Sequence, residues 1–216
     1  MGLAELDEQN RQLIIHSVFI LYGDAASENL TVEMTHDVQA RWNEPGFFVT
    51  IKENLYQVIF NINGNYAPAL VPSAIFENDD PRNNYFRIEE FASADISFVD
   101  GIGSNTGYFK LANLLNGSST AAHEYGHTLG LEHPEILDIR GKGQPGIMYP
   151  RGTIVDPEFQ YDPTAPPLQK GGTINPFTRK VTHNDMNGLK LGSIHFKNGF
   201  SVVGEFTSIW HEKHLP

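Results

Sequence analysis

The chain has 216 residues, of which 40% are apolar and 11% aromatic, with a formal net charge of −11. This length and composition predict a globular protein with one sizeable core, or with a core divided by a cleft. Nucleic-acid binding needs clustered Lys and Arg, and no such cluster is present, so we expect no nucleic-acid partner. The sequence contains no cysteine, which excludes disulfides, thiolate metal ligands and a thiol-based inhibitory switch within this chain.

The first residues show no classical export leader. Residues 1–12 are polar and mixed in charge, and residues 13–22 form an apolar run that is too short to span a bilayer. We therefore expect no membrane span. The protein is expected to be secreted, either by a route without a classical leader or after removal of one, and a cytoplasmic location stays open.

The first half of the chain alternates strand and helix patterns. Residues 13–22 are β-branched and aromatic and end at a Gly-Asp pair, which predicts a buried strand. Ser27 can then cap a helix whose apolar residues recur every four positions, at Leu30, Met34, Val38 and Trp42. A loop-like stretch covers residues 62–84. Further strands are predicted at residues 47–52, 55–61, 85–89, 95–99 and 106–111, followed by a helix over residues 118–131.

The second half is less regular. Residues 134–176 hold eight of the thirteen prolines, and so long an irregular stretch is usually functional in a compact domain. Residues 182–185 resemble a capping box that starts a helix towards residue 191. Asn198-Gly199 predicts a hairpin between residues 194–196 and 200–203. We expect a single domain over residues 1–216, with an upper subdomain at about 1–131, a lower one at about 132–216, and a cleft between them.

The segment over residues 123–133 reads HExxHxxGxxH. His123 and His127 are one helical turn apart, so both imidazoles project from the same face and can bind one ion. Glu124 lies beside that pair and can reach a metal-bound water. Gly130 allows the left-handed backbone that ends a helix sharply, which brings His133 back as a third ligand.

Three neutral histidines leave one coordination position open, which is the arrangement of catalytic rather than structural zinc. Zinc lowers the pKa of a bound water to about 7 and polarises a substrate carbonyl. Glu124 can take the proton from that water and pass it to a leaving amine. The motif therefore predicts one catalytic zinc ion and hydrolysis of a protein or peptide substrate.

The motif resembles the signature of the metzincin metallopeptidases, whose members also carry a Met-containing turn beneath the zinc. Residues 145–150, Pro-Gly-Ile-Met-Tyr-Pro, are similar to that turn, and Met148 corresponds to its methionine, as an apolar floor under the site. The turn and residues 181–188 are closest to the matrixin type, and the resemblance covers about residues 95–191. It implies an α+β fold with a mixed, mostly parallel sheet, a backing helix and an active-site helix. An irregular lower subdomain with a C-terminal helix would lie below.

The chain departs from the matrixin pattern in several places. No histidine lies between His36 and His123, so the second, structural zinc of matrixins is not expected. Pro134 after the third histidine resembles the serralysin type. In matrixins a Pro-x-Tyr segment after the Met turn forms a wall of the substrate site, whereas residues 150–152 read Pro-Arg-Gly here. Two tyrosines, Tyr149 and Tyr161, are candidates for a hydrogen bond to the transition state.

Two further clusters have simpler interpretations. Asp79, Asp80, Asn83 and Asn84 could supply oxygen ligands to calcium, but they lack an ordered ligand spacing, so a surface loop is favoured. Residues 211–214 resemble a second HExxH with one residue too few, so they are predicted to be a solvated tail.

The leading hypothesis is a monomeric zinc endopeptidase that binds extended substrate along an edge strand at residues 106–111. An alternative is a zinc-bearing toxin or effector module that acts on one dedicated protein partner. A third hypothesis, a structural zinc domain, predicts a fourth protein ligand to the metal.

Overall fold

Strand β2 is the centre of the sheet. In the computed structural model, which describes residues 1–215, β2 spans Gln12–Tyr22 and buries alternate side chains, as its β-branched and aromatic sequence predicts. One side of β2 pairs in parallel with strand β4 over ten positions. Its other side is shared: the first half pairs antiparallel with strand β1, and the second half pairs in parallel with strand β5.

The protein is α+β, with a mixed, curled sheet and four α-helices in the part of the chain that the structure describes. The main strand order is β3-β4-β2-β5-β7-β6, and β1 carries β8 on its free side. Only the four central strands are parallel, and the flanking pairings are antiparallel, so the sheet is mixed rather than mostly parallel. The strands are β1 Gly2–Asp7, β2 Gln12–Tyr22, β3 Phe48–Ile51, β4 Asn54–Tyr66, β5 Asn83–Glu89, β6 Phe98–Val99, β7 Thr106–Lys110 and β8 Phe200–Val203; the helices are α1 Glu28–Asn43, α2 Pro72–Phe76, α3 Thr120–Thr128 and α4 His183–Gly188.

Helix α1 packs between the sheet and helix α3. Ser27 caps its first turn through the backbone N–H of Leu30, and the four apolar residues at four-residue spacing are all buried, as predicted. Trp42, the last of them, is 1% exposed and donates its indole N–H to the carbonyl of Ala122 in α3. This bond and the surrounding apolar contacts fix α3 against the sheet.

Several predicted boundaries in the first half were wrong. Residues 62–84 are not all loop, because β4 continues to Tyr66, α2 follows it, and β5 begins at Asn83. The polar start also forms a strand, β1, since its alternating residues pair with β2. The strand predicted at residues 95–99 is only β6, Phe98–Val99, and the predicted edge strand at residues 106–111 is β7, which lies between β5 and β6.

The second half is as irregular as its prolines predict. Between α3 and α4, within residues 1–215, the chain has no strand and no α-helix, only 3₁₀ turns and isolated bridges. Residues 182–185 form the predicted capping box, although α4 ends at Gly188. The Asn198-Gly199 turn is present, but residues 194–196 are not a strand, and β8 pairs with β1 instead.

Residues 211–214 were predicted to be a solvated tail, but they belong to a C-terminal segment, residues 205–215, that is not free in solvent. It packs along the edge region of the sheet: Trp210 stacks on Tyr22, and His214 stacks on Tyr108 at 4.0 Å between ring centroids. His211 bonds to Asp100 at 2.9 Å. These contacts join residues that lie more than a hundred positions apart, so no local pattern in the sequence indicated them.

No helix among residues 1–215 has the length and apolar character that a bilayer crossing requires.

We predict that Asn105 holds the C-terminal segment in place. Its buried side-chain oxygen accepts hydrogen bonds from the backbone N–H groups of Thr207 and Ser208. Asn105→Ala removes this acceptor, and we expect a loss of about 1–3 kcal/mol in the free energy of unfolding. Hydrogen exchange at Thr207 and Ser208 should accelerate. Asn65→Ala, at an exposed strand position, is the control and should change stability by less than about 0.5 kcal/mol; equal effects of the two variants would contradict the assignment.

Candidate metal centre

Helix α3 is anchored by Tyr125 on the face that points away from the histidines. Tyr125 is fully buried, and its hydroxyl is 2.8 Å from the hydroxyl of Ser17 in β2. Its ring packs edge-on against Phe19 and Trp42. This anchoring sets the rotation of the helix, so the side chains of His123 and His127 on its other face point towards the irregular segment that follows α3.

The end of α3 is a Schellman motif. Leu131 N–H donates to the carbonyl of Gly126 at 3.0 Å, and Gly130 N–H donates to the carbonyl of His127 at 3.0 Å. Gly130 has φ of +97°, a conformation that side-chain-bearing residues adopt rarely. The turn reverses the chain, and His133 consequently returns towards the helix.

The three histidines converge on one point. The Nε2 atom of His133 lies 3.0 Å from the Nε2 atoms of both His123 and His127. Three nitrogens on a tetrahedral zinc at about 2.0–2.1 Å would be separated by about 3.3–3.4 Å, so this spacing is close to that of a bound ion. Within residues 1–215, this is the group of His, Asp and Glu side chains that could hold a metal ion.

The surrounding hydrogen bonds direct lone pairs to the centre. The Nδ1 atom of His123 lies 2.7 Å from the carbonyl oxygen of Ile147, and that of His127 lies 2.6 Å from the carbonyl oxygen of Leu131. A carbonyl only accepts, so both Nδ1 atoms carry the proton and both Nε2 atoms present a lone pair. Burial also lowers the pKa of all three histidines, to about 4 for His127, which keeps the imidazoles neutral at pH 7.

Glu124 lies beside the triad, and its carboxyl group is buried. Burial raises its pKa to about 8, while the charge of Arg179, the backbone of Val99 and the charge of Arg151 lower it. A cation held by the histidines would act in the same direction as the two arginines and favour the carboxylate. Because Val99 belongs to β6, Glu124 lies next to the end strand of the sheet.

The turn over residues 145–150 packs against helix α3. Met148 is 2% exposed, and its sulfur lies against the backbone of Gly126 in α3. Asp185 in α4 accepts hydrogen bonds from the backbone N–H groups of Ile147 and Met148, at 3.2 and 3.4 Å. The capping residue of α4 therefore also holds the turn, a second role that the capping-box pattern did not indicate.

Sequence reasoning missed Arg179. This residue is 3% exposed and donates from Nε to the Ser119 hydroxyl and from Nη1 to the Tyr149 carbonyl, both at 2.9 Å. Nη1 is also 3.1 Å from Nδ1 of His123, but that nitrogen already donates to Ile147, so we assign no bond there. Burial lowers the pKa of Arg179 to about 10, and Glu124 acts in the opposite direction.

The two candidate tyrosines lie in different environments. Tyr149 is part of the turn over residues 145–150 and packs against the small apolar cluster of Ile139, Val155 and Ile174. Burial raises its pKa. Tyr161 lies further along the lower subdomain and is 49% exposed. Their role in transition-state binding stays a prediction.

The residues proposed for calcium do not form an oxygen cage. The Asp80 carboxylate is paired with Arg82, and the buried amide of Asn84 donates to the carbonyls of Met1 and Arg82. Asn83 donates to the side chain of Asn78. The cluster is a hydrogen-bonded loop at the start of β5, so the structure offers no support for a calcium site.

No protein-family model matches the chain, and a search of curated proteins gives no significant relative.

The donor set fits a transition metal with nitrogen ligands. Three neutral imidazoles suit zinc, copper, iron or nickel and are poor ligands for calcium or magnesium. His133 is exposed, whereas His123 and His127 are buried, so an ion at this point would face solvent on one side. An open side is the feature that separates catalytic metal sites from closed structural ones.

We predict that the chain binds one Zn²⁺ through the triad. His133→Ala removes one of three ligands, so its zinc affinity, measured by competition with a chromogenic chelator, should fall at least about tenfold. Zinc should raise the melting temperature of the unsubstituted protein, because it binds only the folded state. His36→Ala, an exposed histidine on α1, is the control; zinc binding by His133→Ala at unchanged affinity would contradict the assignment.

We predict that position 126 must be glycine because the Met148 sulfur occupies the space that a side chain would need. A Cβ atom at position 126 would lie 2.3 Å from the Met148 sulfur, so Gly126→Ala should destabilise the fold although alanine favours helix. The expected loss is about 1–3 kcal/mol by urea unfolding. In a Met148→Ala background the same substitution should cost much less. An equal cost in both backgrounds would show that another contact is responsible.

Proposed function

We propose that this protein is a zinc-dependent endopeptidase of the metzincin type. The observation that carries the proposal is the convergence of three Nε2 atoms, with a buried carboxyl group beside them and solvent on one side. Further support comes from the order of elements. A mixed sheet with an antiparallel end strand precedes the helix of the motif, and a methionine turn held by a C-terminal helix follows it.

Each group would have a separate task. His123, His127 and His133 would hold the ion, which when bound supplies Lewis acidity that polarises a peptide carbonyl and acidifies water. Glu124 would accept a proton from the attacking water and donate it to the leaving amine. Ile147 and Leu131 carbonyls keep the imidazole rings in the tautomer that binds metal.

The strand that would receive an extended substrate is β6, not the one expected from sequence. β7 is paired on both sides, with β5 and with β6, so its backbone groups are occupied. β6 is the last strand of the path and lies next to Glu124 through Val99. A peptide could add to its free side and pass the triad in an extended conformation.

The structural-zinc alternative lacks a fourth ligand. Within residues 1–215, the group around the candidate metal position contains three histidines and no additional Asp, Glu or Cys side chain. A closed structural zinc site normally has four protein ligands. The arrangement therefore favours a catalytic ion over a purely structural one.

We predict that Glu124→Gln separates metal binding from hydrolysis. The amide keeps the size of the side chain but cannot accept the proton, so cleavage of a peptide mixture should fall by about 10²- to 10⁴-fold. The zinc content, measured by atomic emission, should stay at one ion per chain. Glu132→Gln, at the exposed carboxyl group beside the third histidine, is the matched control and should retain full activity. Unchanged cleavage by Glu124→Gln would refute the proposed mechanism.

A further inference from the structure

Arg179 is a buried arginine without a carboxylate partner. It is 3% exposed, yet among residues 1–215 no Asp or Glu oxygen lies within 4.0 Å of its guanidinium group. The other buried arginine, Arg87, has such a partner in Glu89 at 2.7 Å. A buried charge without a counter-charge is costly, and the chain has an excess of carboxylates from which a partner could have come.

Not all N–H donors of the Arg179 guanidinium group are paired. Nε donates to Ser119 and Nη1 to the carbonyl of Tyr149, which fixes the plane of the group. Nη2 has no hydrogen-bond partner among the described residues. It is also not one of the side-chain atoms sealed from solvent without a partner, which are the Tyr22 hydroxyl and the Asn105 amide nitrogen. Nη2 therefore keeps N–H donors that an incoming acceptor can reach.

The guanidinium group of Arg179 lies beside the candidate metal centre. Its three nearest polar neighbours are Ser119 at the start of α3, His123 in the triad, and Tyr149 directly after the Met148 turn. A second arginine, Arg151, lies on the same side and reaches across to the side chain of Asn113 at 3.0 Å. Both arginine charges lower the pKa of Glu124, as expected if they lie on its side of the site.

We propose that Arg179, assisted by Arg151, selects substrates with an Asp or Glu side chain beside the scissile bond. This inference rests on the proposed peptidase function and specifies its substrate class. The unpaired Nη2 group can donate to a carboxylate oxygen, and such charge-assisted hydrogen bonds are the stronger kind. A substrate carboxylate at Nη2 also supplies the counter-charge that the chain itself does not.

A purely structural role is the main competing explanation. Arg179 links the start of α3 to the turn under the site, so removing it could loosen both and slow the cleavage of every peptide. A selective role differs in one measurable respect: it changes the ratio of rates for acidic and neutral substrates. The experiment therefore measures that ratio rather than the activity alone.

The first step is a mass-spectrometric digest of a peptide library by the zinc-loaded protein, to find the residues on each side of the cleaved bonds. We expect Asp and Glu to be enriched at one position next to the bond. Two peptides are then made that differ only by Glu or Gln at that position. The unsubstituted protein should cleave the Glu peptide at least about tenfold more efficiently, as kcat/KM, than the Gln peptide.

The second step compares variants on this pair. Arg179→Gln should reduce the ratio of kcat/KM for the Glu peptide to that for the Gln peptide at least about tenfold. Arg179→Lys keeps the positive charge but loses the planar guanidinium group, so it should give an intermediate ratio. Arg151→Gln should reduce the ratio less, because Arg151 is exposed and its charge is screened by solvent. Arg82→Gln, an exposed arginine paired with Asp80, is the control and should leave the ratio unchanged.

For variants that cleave too slowly for kcat/KM to be determined, peptide binding is measured instead. Titration of the same peptides into Glu124→Gln, with and without Arg179→Gln, should show the preference for Glu as a ratio of dissociation constants. Cleavage without acidic enrichment, or equal losses for both peptides in Arg179→Gln, overturns the inference and leaves the peptidase proposal intact. Absence of any cleavage by the zinc-loaded protein overturns the peptidase proposal and this inference with it.

Discussion

The site depends on one short helix, α3, that packs against the sheet on one face and carries two candidate metal ligands on the other. Tyr125 and Trp42 hold α3 against the sheet by burial and by two side-chain hydrogen bonds. The opposite face carries His123, Glu124 and His127, all nearly buried but turned towards the lower subdomain. Since residues four apart share a helix face, fixing the rotation of α3 fixes the separation of two candidate ligands and the place of the carboxyl group between them.

The two glycines of the motif region are required for different structural reasons. Gly126 leaves space for the Met148 sulfur, and Gly130 allows the left-handed turn that returns His133. Asp185 then holds the turn by its backbone N–H groups, so helix α4 supports the site without contributing a ligand. The segment between α3 and α4 has little regular structure. Hydrogen bonds such as those from Asp185, rather than helices or strands, hold the Met148 turn in position.

The electrostatics of the site come from burying charges of both signs close together. Burial raises the pKa of Glu124 and lowers that of Arg179, and each charge opposes the effect of burial on the other. Among residues 1–215, no ion pair within 4.0 Å joins Glu124 to Arg179.

The sequence by itself determined the local features of this protein. The spacing of His123, His127 and Gly130, the caps at Ser27 and Thr182, and the apolar stripe of α1 all depend on residues within about ten positions, which helical and turn geometry relate directly. Only the tertiary structure decided the long-range features. These are the pairing of β8 with β1, the packing of the C-terminal segment on the sheet, the position of β6 at the end of the sheet, and the position of Arg179 beside the three histidines. These contacts join segments far apart in the chain, and their partners are set by packing and burial of the whole fold, for which a single sequence carries no local pattern.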